Sequence, residues 1–214
     1  MTRTRVKICG LRSERDLDLA VSAGADAIGL LCSVAVDSPR EIPIDRATTL
    51  AKATPPFVTA VLVTMWESAD QIHDLIDSVD PDAIQLHGAS TDDVNRLDTA
   101  ITVISALGET EDDTTIDAHA RAADAILLDS ADDRGAGGTG RTHDWERAGA
   151  VATRLDTPVV LAGGLTPENV KSAIDHVRPY AVDVASGVDG DDGKDPTAVR
   201  SFVDATQRPN GETP

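Results

Sequence analysis

The chain has 214 residues, 41% of them hydrophobic, and a formal net charge of −18 from 37 acidic and 19 basic side chains. That length and apolar content suit one sizeable α/β domain, and the acidic excess without a basic patch argues against nucleic acid or an anionic membrane as partner. With only five aromatic residues (Phe57, Trp66, Trp145, Tyr180 and Phe202) the core must be built from Ala, Val, Leu and Ile.

Taken in chain order, short apolar runs alternate with amphipathic stretches. Strands are expected at 5–9, 27–31, 57–64, 83–87, 101–107, 125–129, 158–162 and 180–185. Helices are expected near 13–23, 45–53, 68–78, 90–99, 114–122, 143–154, 166–177 and 196–206. Ser13, Asp45, Ser68, Ser90 and Thr166 supply N-caps, with Pro167 at the first helical position after Thr166. Eight βα pairs with no strand run between them favour a parallel sheet with helical crossovers, and eight is the number that closes a (β/α)8 TIM barrel. The units do not read as copies of one another, and no linker interrupts them. The expected organisation is a single barrel domain over 1–208 with a short tail at 209–214.

Composition fits a cytoplasmic setting: Cys9 and Cys32 are too few for a disulfide framework, no secretory leader precedes the first strand, and no apolar run reaches a bilayer-spanning length. Only four of the basic residues are Lys, the other fifteen being Arg. An acidic surface of this kind fits a salt-rich cytoplasm, where a Debye length of roughly 3 Å at 1 M salt screens self-repulsion. Solubility alone is the competing explanation.

In a barrel of this type the loops after each strand build the catalytic face. Strand 1 ends at Cys9-Gly10, strand 4 at Gln85-Leu86-His87-Gly88 and strand 6 at Leu128-Asp129-Ser130. Strands 7 and 8 run into Gly163-Gly164 and Ser186-Gly187, where missing or small side chains let backbone N–H groups approach an anion. Loops 7 and 8 are the recurring phosphate site of such barrels, so a small phosphorylated molecule is the expected ligand. Alternation puts Lys7 on the same face as Cys9, and Gln85 with His87. Lys7 on strand 1 and Asp183 on strand 8 then meet across the closing seam and are expected to pair, because a buried ammonium needs a partner.

Each strand-end residue has two readings. Cys9 is either a small buried hydrophobe or a reactive group. Asp129 is either an acid/base group or a loop cap, and His87 either binds substrate or completes a polar layer. Arg40, after Ser38-Pro39, either presents a guanidinium to a carboxylate or sits on the surface. Gly135 to Gly140 can act as a lid. The other histidines (His73, His119, His143 and His176) show no metal-ligand spacing.

As an ordered set these segments resemble the phosphoribosylanthranilate isomerase family of tryptophan biosynthesis. The resemblance is carried by Val6-Lys7-Ile8-Cys9-Gly10-Leu11, Ser38-Pro39-Arg40, Gln85-Leu86-His87-Gly88, Leu128-Asp129-Ser130, Gly137-Gly138-Thr139-Gly140, Leu161-Ala162-Gly163-Gly164-Leu165, Asp183-Val184-Ala185-Ser186-Gly187-Val188 and Gly193-Lys194-Asp195. It implies an Amadori rearrangement of an aminoaldose to an aminoketose without cofactor or metal. Cys9 would be the general base and Asp129 the general acid. Arg40, His87 and Gly138 would contact substrate, with Gly163, Gly164, Ser186 and Gly187 at the phosphate. The base must be a thiolate, so its pKa is expected to be lowered by Arg40, Lys7 or the ligand. The expected assembly is a monomer or homodimer.

The sequence also departs from the family pattern. Leu31 to Asp37 lack the aromatics common before Ser-Pro-Arg, and Leu62-Val63-Thr64-Met65-Trp66 replaces a Phe-Val-Asn-like end. Ala185 stands where Ser is common and Asp189 where Glu is common. The alternatives are another phosphosugar barrel, of the epimerase or indole-glycerol-phosphate synthase type, or a non-catalytic phosphometabolite-binding barrel. An epimerase wants metal-binding groups at several strand ends, and the synthase wants a catalytic Lys higher than Lys7.

Overall fold

The structure, a computed structural model, describes residues 3–108, 110–129 and 145–207. Eight parallel strands close into a barrel in sequence order, β1 pairing with β8. They are β1 Arg5–Cys9, β2 Ala27–Leu31, β3 Thr59–Met65, β4 Ala83–His87, β5 Thr102–Gly108, β6 Ala125–Asp129, β7 Val159–Ala162 and β8 Ala181–Val184. Helices α1 Glu14–Ala23, α2 Ile44–Ala53, α3 Ala69–Val79, α4 Thr91–Arg96, α5 Asp113–Ala122, α6 Trp145–Arg154 and α7 Val170–Val177 alternate with them, and α8 Pro196–Gln207 follows β8. The alternation read from the sequence is therefore the architecture. The proposed tail, Gly138 and the glycine-rich lid lie outside the described residues.

The strand pleat separates two cores. Outward positions such as Ile8, Ile28, Leu62, Ile84 and Leu86 pack with α8's Phe202 between sheet and helices. Inward positions form a narrower cluster of Cys9, Val61, Val63, Ala83, Ile104, Leu127, Val160 and Ala181. Small aliphatics suffice there because the barrel interior is tight. Cys9 lies opposite Gly29 in register, and a Cβ on Gly29 would come within 2.6 Å of the Cys9 Sγ.

The units are more alike than their sequences suggest. Asp-Ala-Ile recurs at 26–28, 82–84 and 124–126, at the starts of β2, β4 and β6. Each Asp donates its backbone N–H to the preceding strand and accepts that residue's N–H on its carboxylate. The accepted groups are Val6 N, Ala60 N and Val103 N, all at 2.8 Å. Three strand pairs are thus locked at their N-terminal ends by the same device, which the expectation of unlike units overlooked.

Three local expectations change. Pro43, not Asp45, occupies the N-cap of α2, and the Asp45 carboxylate accepts from Arg46 N instead. Helix α7 starts at Val170 with Asn169 at its N-cap, not at Thr166. The Asn169 side chain turns back to accept from Thr166 N and donate to Gly164 O, so 167–169 form a turn that ties loop 7 down. Finally, a small antiparallel hairpin, β9 Asp189–Gly190 with β10 Gly193–Lys194, interrupts the run between β8 and α8. Buried Asp16 of α1 holds it, accepting from Lys194 N at 2.9 Å.

Candidate active site

Lys7 is buried inside the barrel, and its ammonium meets Asp183 Oδ1 at 3.0 Å and Gln85 Oε1 at 3.0 Å. The expected pairing across the seam is present, in register as Lys7 opposite Asp183. Lys7 also lies near enough to Cys9 for its charge to act on the thiol. Burial is the largest influence on Lys7 and lowers its pKa, but Asp183 and Cys9 together outweigh it and hold the value above the ordinary one, so Lys7 is an ammonium at neutral pH.

Cys9 ends β1 on the same inward face, directly above Lys7. Burial pushes the thiol above its ordinary pKa, Lys7 pulls it down, Asp183 pushes it up and Lys194 pulls it down. The net direction opposes the expected lowering, and Arg40 is not among the influences. Desolvation of a buried thiolate outweighs the pull of the Lys7 and Lys194 ammonium groups, the more so because Asp183 opposes them. The substrate-free protein therefore carries a thiol at Cys9.

His87 ends β4, and Gln85 Nε2 lies 2.9 Å from its Nε2. Burial lowers its pKa, against an opposing pull from Asp129 on β6. Asp129 ends β6 in register with Gly108 and Ala162, at the same rim. The charges felt by His87, from Asp129, Lys7 and Asp183, thus bring the ends of β1, β4, β6 and β8 around one mouth.

Arg40 comes from the segment after β2, which turns at Ser38 and rejoins the strand through the Leu31–Glu41 bridge. Its stem lies against Gly10, whose Cβ would sit 2.6 Å from Arg40 Cδ, and Gly10 has φ +78. Its Nε donates to Asp189 Oδ2 at 2.9 Å, and buried Lys194 meets Asp189 Oδ1 at 2.6 Å and donates to Ala185 O at 3.0 Å. Asp189 thus bridges two cations and fastens Arg40 to the β9–β10 hairpin. Nη1 and Nη2 of Arg40 have no partner among the described residues.

Gly163 (φ +84) and Gly164 (φ +62) both adopt left-handed backbone after β7. Ser186–Val188 make a short 3-10 turn after β8. A Cβ on Gly187 would lie 1.9 Å from Leu165 O, so loops 7 and 8 abut at a point only glycine can occupy. The four expected phosphate-loop residues are therefore neighbours on the mouth. Among the described residues no three His, Cys, Asp or Glu side chains gather to hold a metal ion.

Sequence reasoning named Cys9, Asp129, His87, Arg40 and the two glycine loops, and the barrel brings them to one end. It missed Gln85 as a bridge, Asp189 and Lys194 as the anchor of Arg40, and Gly29 as the wall beside Cys9. The strand alternation already pointed to Gln85. The Gly29 contact depends on cross-strand register, which no local pattern reveals.

A closed (β/α)8 barrel that gathers an ionisable cluster and paired glycine loops on its C-terminal rim has the layout of a barrel enzyme. Residues 6–205 match the family model for N-(5'-phosphoribosyl)anthranilate (PRA) isomerase. The chain is 53% identical over 205 residues to an N-(5'-phosphoribosyl)anthranilate isomerase of Natronomonas pharaonis, covering 94% of this chain and 97% of that one. The crystal structure of phosphoribosyl anthranilate isomerase from Thermotoga maritima superposes with a TM-score of 0.83 at 35% identity, covering 95% and 98% of the two chains. Another structure of such an isomerase, in complex with reduced 1-(o-carboxyphenylamino)-1-deoxyribulose 5-phosphate, gives a TM-score of 0.79 at 34% identity with the same coverage. The chain belongs to the phosphoribosylanthranilate isomerase family and is an isomerase.

Proposed function

We propose that the chain converts N-(5-phosphoribosyl)anthranilate to 1-(2-carboxyphenylamino)-1-deoxyribulose 5-phosphate in tryptophan biosynthesis, by an Amadori rearrangement with Cys9 as general base and Asp129 as general acid. The carrying observation is the convergence of Cys9, His87, Asp129, Arg40 and loops 7 and 8 on one rim in a chain of this family.

Asp129 gives its proton to the ribose ring oxygen while the C1′–O bond breaks and the anthranilate nitrogen lone pair forms a C1′=N Schiff base. The Cys9 thiolate takes the proton from C2′, and those electrons form a C1′=C2′ bond while the C=N pair returns to nitrogen. The enolamine then tautomerises to the ketone. Acid and base must start as carboxylic acid and thiolate, the opposite of their ordinary order at neutral pH. Burial keeps Cys9 neutral in the free chain, so the thiolate is a minor form, drawn on through the Lys7 and Lys194 ammonium groups. The chemistry calls for no cofactor or metal.

Gly163, Gly164, Ser186 and Gly187 hold the phosphate on backbone N–H groups. Arg40 offers its outer guanidinium nitrogens to the anthranilate carboxylate. His87 contacts the substrate from β4, and Gly138, outside the described residues, is a further substrate contact in this reading. The ligand complex of the similar isomerase supports a phosphorylated sugar of this type. Among the described residues no helix is long and apolar enough to cross a membrane. We place the enzyme in the cytoplasm, as monomer or homodimer, and read the charge of −18 as salt adaptation, supported by haloarchaeal relatives.

The test is loss of phosphoribosylanthranilate fluorescence on adding the purified chain in high salt. Consumption unaffected by chelators supports this reading. No consumption by the folded chain, or consumption lost with metal, overturns it.

A further inference from the structure

We propose that Gln85, oriented by Lys7, fixes the ring proton of His87 on Nδ1 and so makes that histidine a standing hydrogen-bond donor at the barrel mouth. An ammonium has donors and no acceptor, so the Gln85 atom 3.0 Å from Lys7 Nζ must be the amide oxygen. Asp183, 3.0 Å from the same nitrogen, keeps Lys7 charged and in place. The atom left on Gln85 is its NH2, which also only donates. It lies 2.9 Å from His87 Nε2, and two donors cannot face each other. The ring nitrogen there must therefore present its lone pair, which leaves the proton on Nδ1.

An imidazolium, protonated on both nitrogens, is excluded by the same contact. The charged groups acting on the ring come from three strands: Asp129 on β6 and Asp183 on β8 favour protonation, and Lys7 on β1 opposes it. Burial opposes it too and prevails, so the electrostatics agree with the geometry. Gln85 is thus a positioning residue that acts through His87. Its catalytic consequence rests on the substrate role of His87 proposed above: Nδ1–H is the donor available to an acceptor oxygen of the substrate. The Asp183–Lys7–Gln85–His87 chain also makes the cation whose charge acts on Cys9 part of the structure that sets His87.

Imidazole nitrogen-15 spectra of the full-length, substrate-free protein in high salt test this, with the His87 signals assigned by their absence in His87→Asn. The expected state is a protonated Nδ1 and an unprotonated Nε2 from roughly pH 6 to 8. A proton on Nε2, or an imidazolium at neutral pH, overturns the proposal. Gln85→Glu places a carboxylate that accepts from both Lys7 and the ring, so its folded form should move the proton to Nε2. An unchanged tautomer there overturns it, and if that variant does not fold the wild-type spectrum alone decides. Asn at 87 keeps an N–H near the Nδ1 position and Gln does not, so kcat/KM should fall about tenfold further in His87→Gln than in His87→Asn. The reverse order contradicts the proposed donor. The spectra need no substrate, so an inactive protein with the expected tautomer defeats the isomerase reading alone.

Discussion

Gly29→Ala perturbs the proposed base without touching any charged group. The new methyl carbon would lie 2.6 Å from Cys9 Sγ, 3.1 Å from Cys9 Cβ and 3.0 Å from Cys9 Cα. Non-bonded heavy atoms settle at about 3.5–4.0 Å, so the thiol must move by about 1 Å. It cannot retreat freely, because Lys7 and the inner aliphatic cluster enclose it. A misplacement of that size costs about 10²-fold in a positioned reaction. Overpacking should add about 1–3 kcal/mol of destabilisation. Steady-state turnover of phosphoribosylanthranilate, followed by fluorescence beside a thermal melt, should show kcat down about 10²-fold. KM should change little, since Arg40 and the phosphate loops are untouched. Gly108→Ala is the control: it ends β5, and its Cβ would meet nothing within 4 Å. Turnover within about twofold of wild type in folded Gly29→Ala would refute the placement of Cys9 as base.

Other expected outcomes follow from the charges. Lys7→Met strands Asp183 in the barrel interior and should cost about 3–5 kcal/mol in denaturant unfolding, while Lys7→Met with Asp183→Leu recovers most of that. A cost under about 1 kcal/mol for the single variant would show the pair to be solvated. In a Cys32→Ala background, thiolate absorbance should show Cys9 titrating above 9.0, its ordinary value. Because the folded pKa is raised, the linked stability is full below about 9 and is lost as pH rises through the folded value, a slope that Cys9→Ala removes. Titration near neutrality would contradict the burial argument. Lowering salt to ~0.1 M lengthens the Debye length to about 10 Å and exposes the polyanionic substrate to the −18 chain, so KM should rise. A salt-independent KM removes the electrostatic explanation.

The sequence shows the barrel clearly because its signals are local. Strand runs and most helix starts depend on a few adjacent residues, and Ser13, Ser68 and Ser90 cap their helices as expected. Thr166 fails because Asn169 competes for the same backbone groups and ties them into loop 7. The recurring Asp-Ala-Ile was present to be read, but its meaning depends on strand pairing at the far end of the barrel. Lys7 with Asp183 was legible because alternation and closure together place two charges side by side. The anchoring of Arg40 was not, since it requires a hairpin that folds Lys194 and Asp189 back over the rim. The direction of the Cys9 shift was not legible either. It is set by how completely the barrel excludes water, a quantity that belongs to packing and not to pattern.

The central claim is that a thiol on β1 and a carboxyl on β6 divide the proton transfers between them. The most direct measurement is kcat for folded Cys9→Ala and Asp129→Asn in the fluorescence assay at high salt. Each should lose on the order of 10²-fold or more. Near-wild-type turnover in either variant would contradict the account.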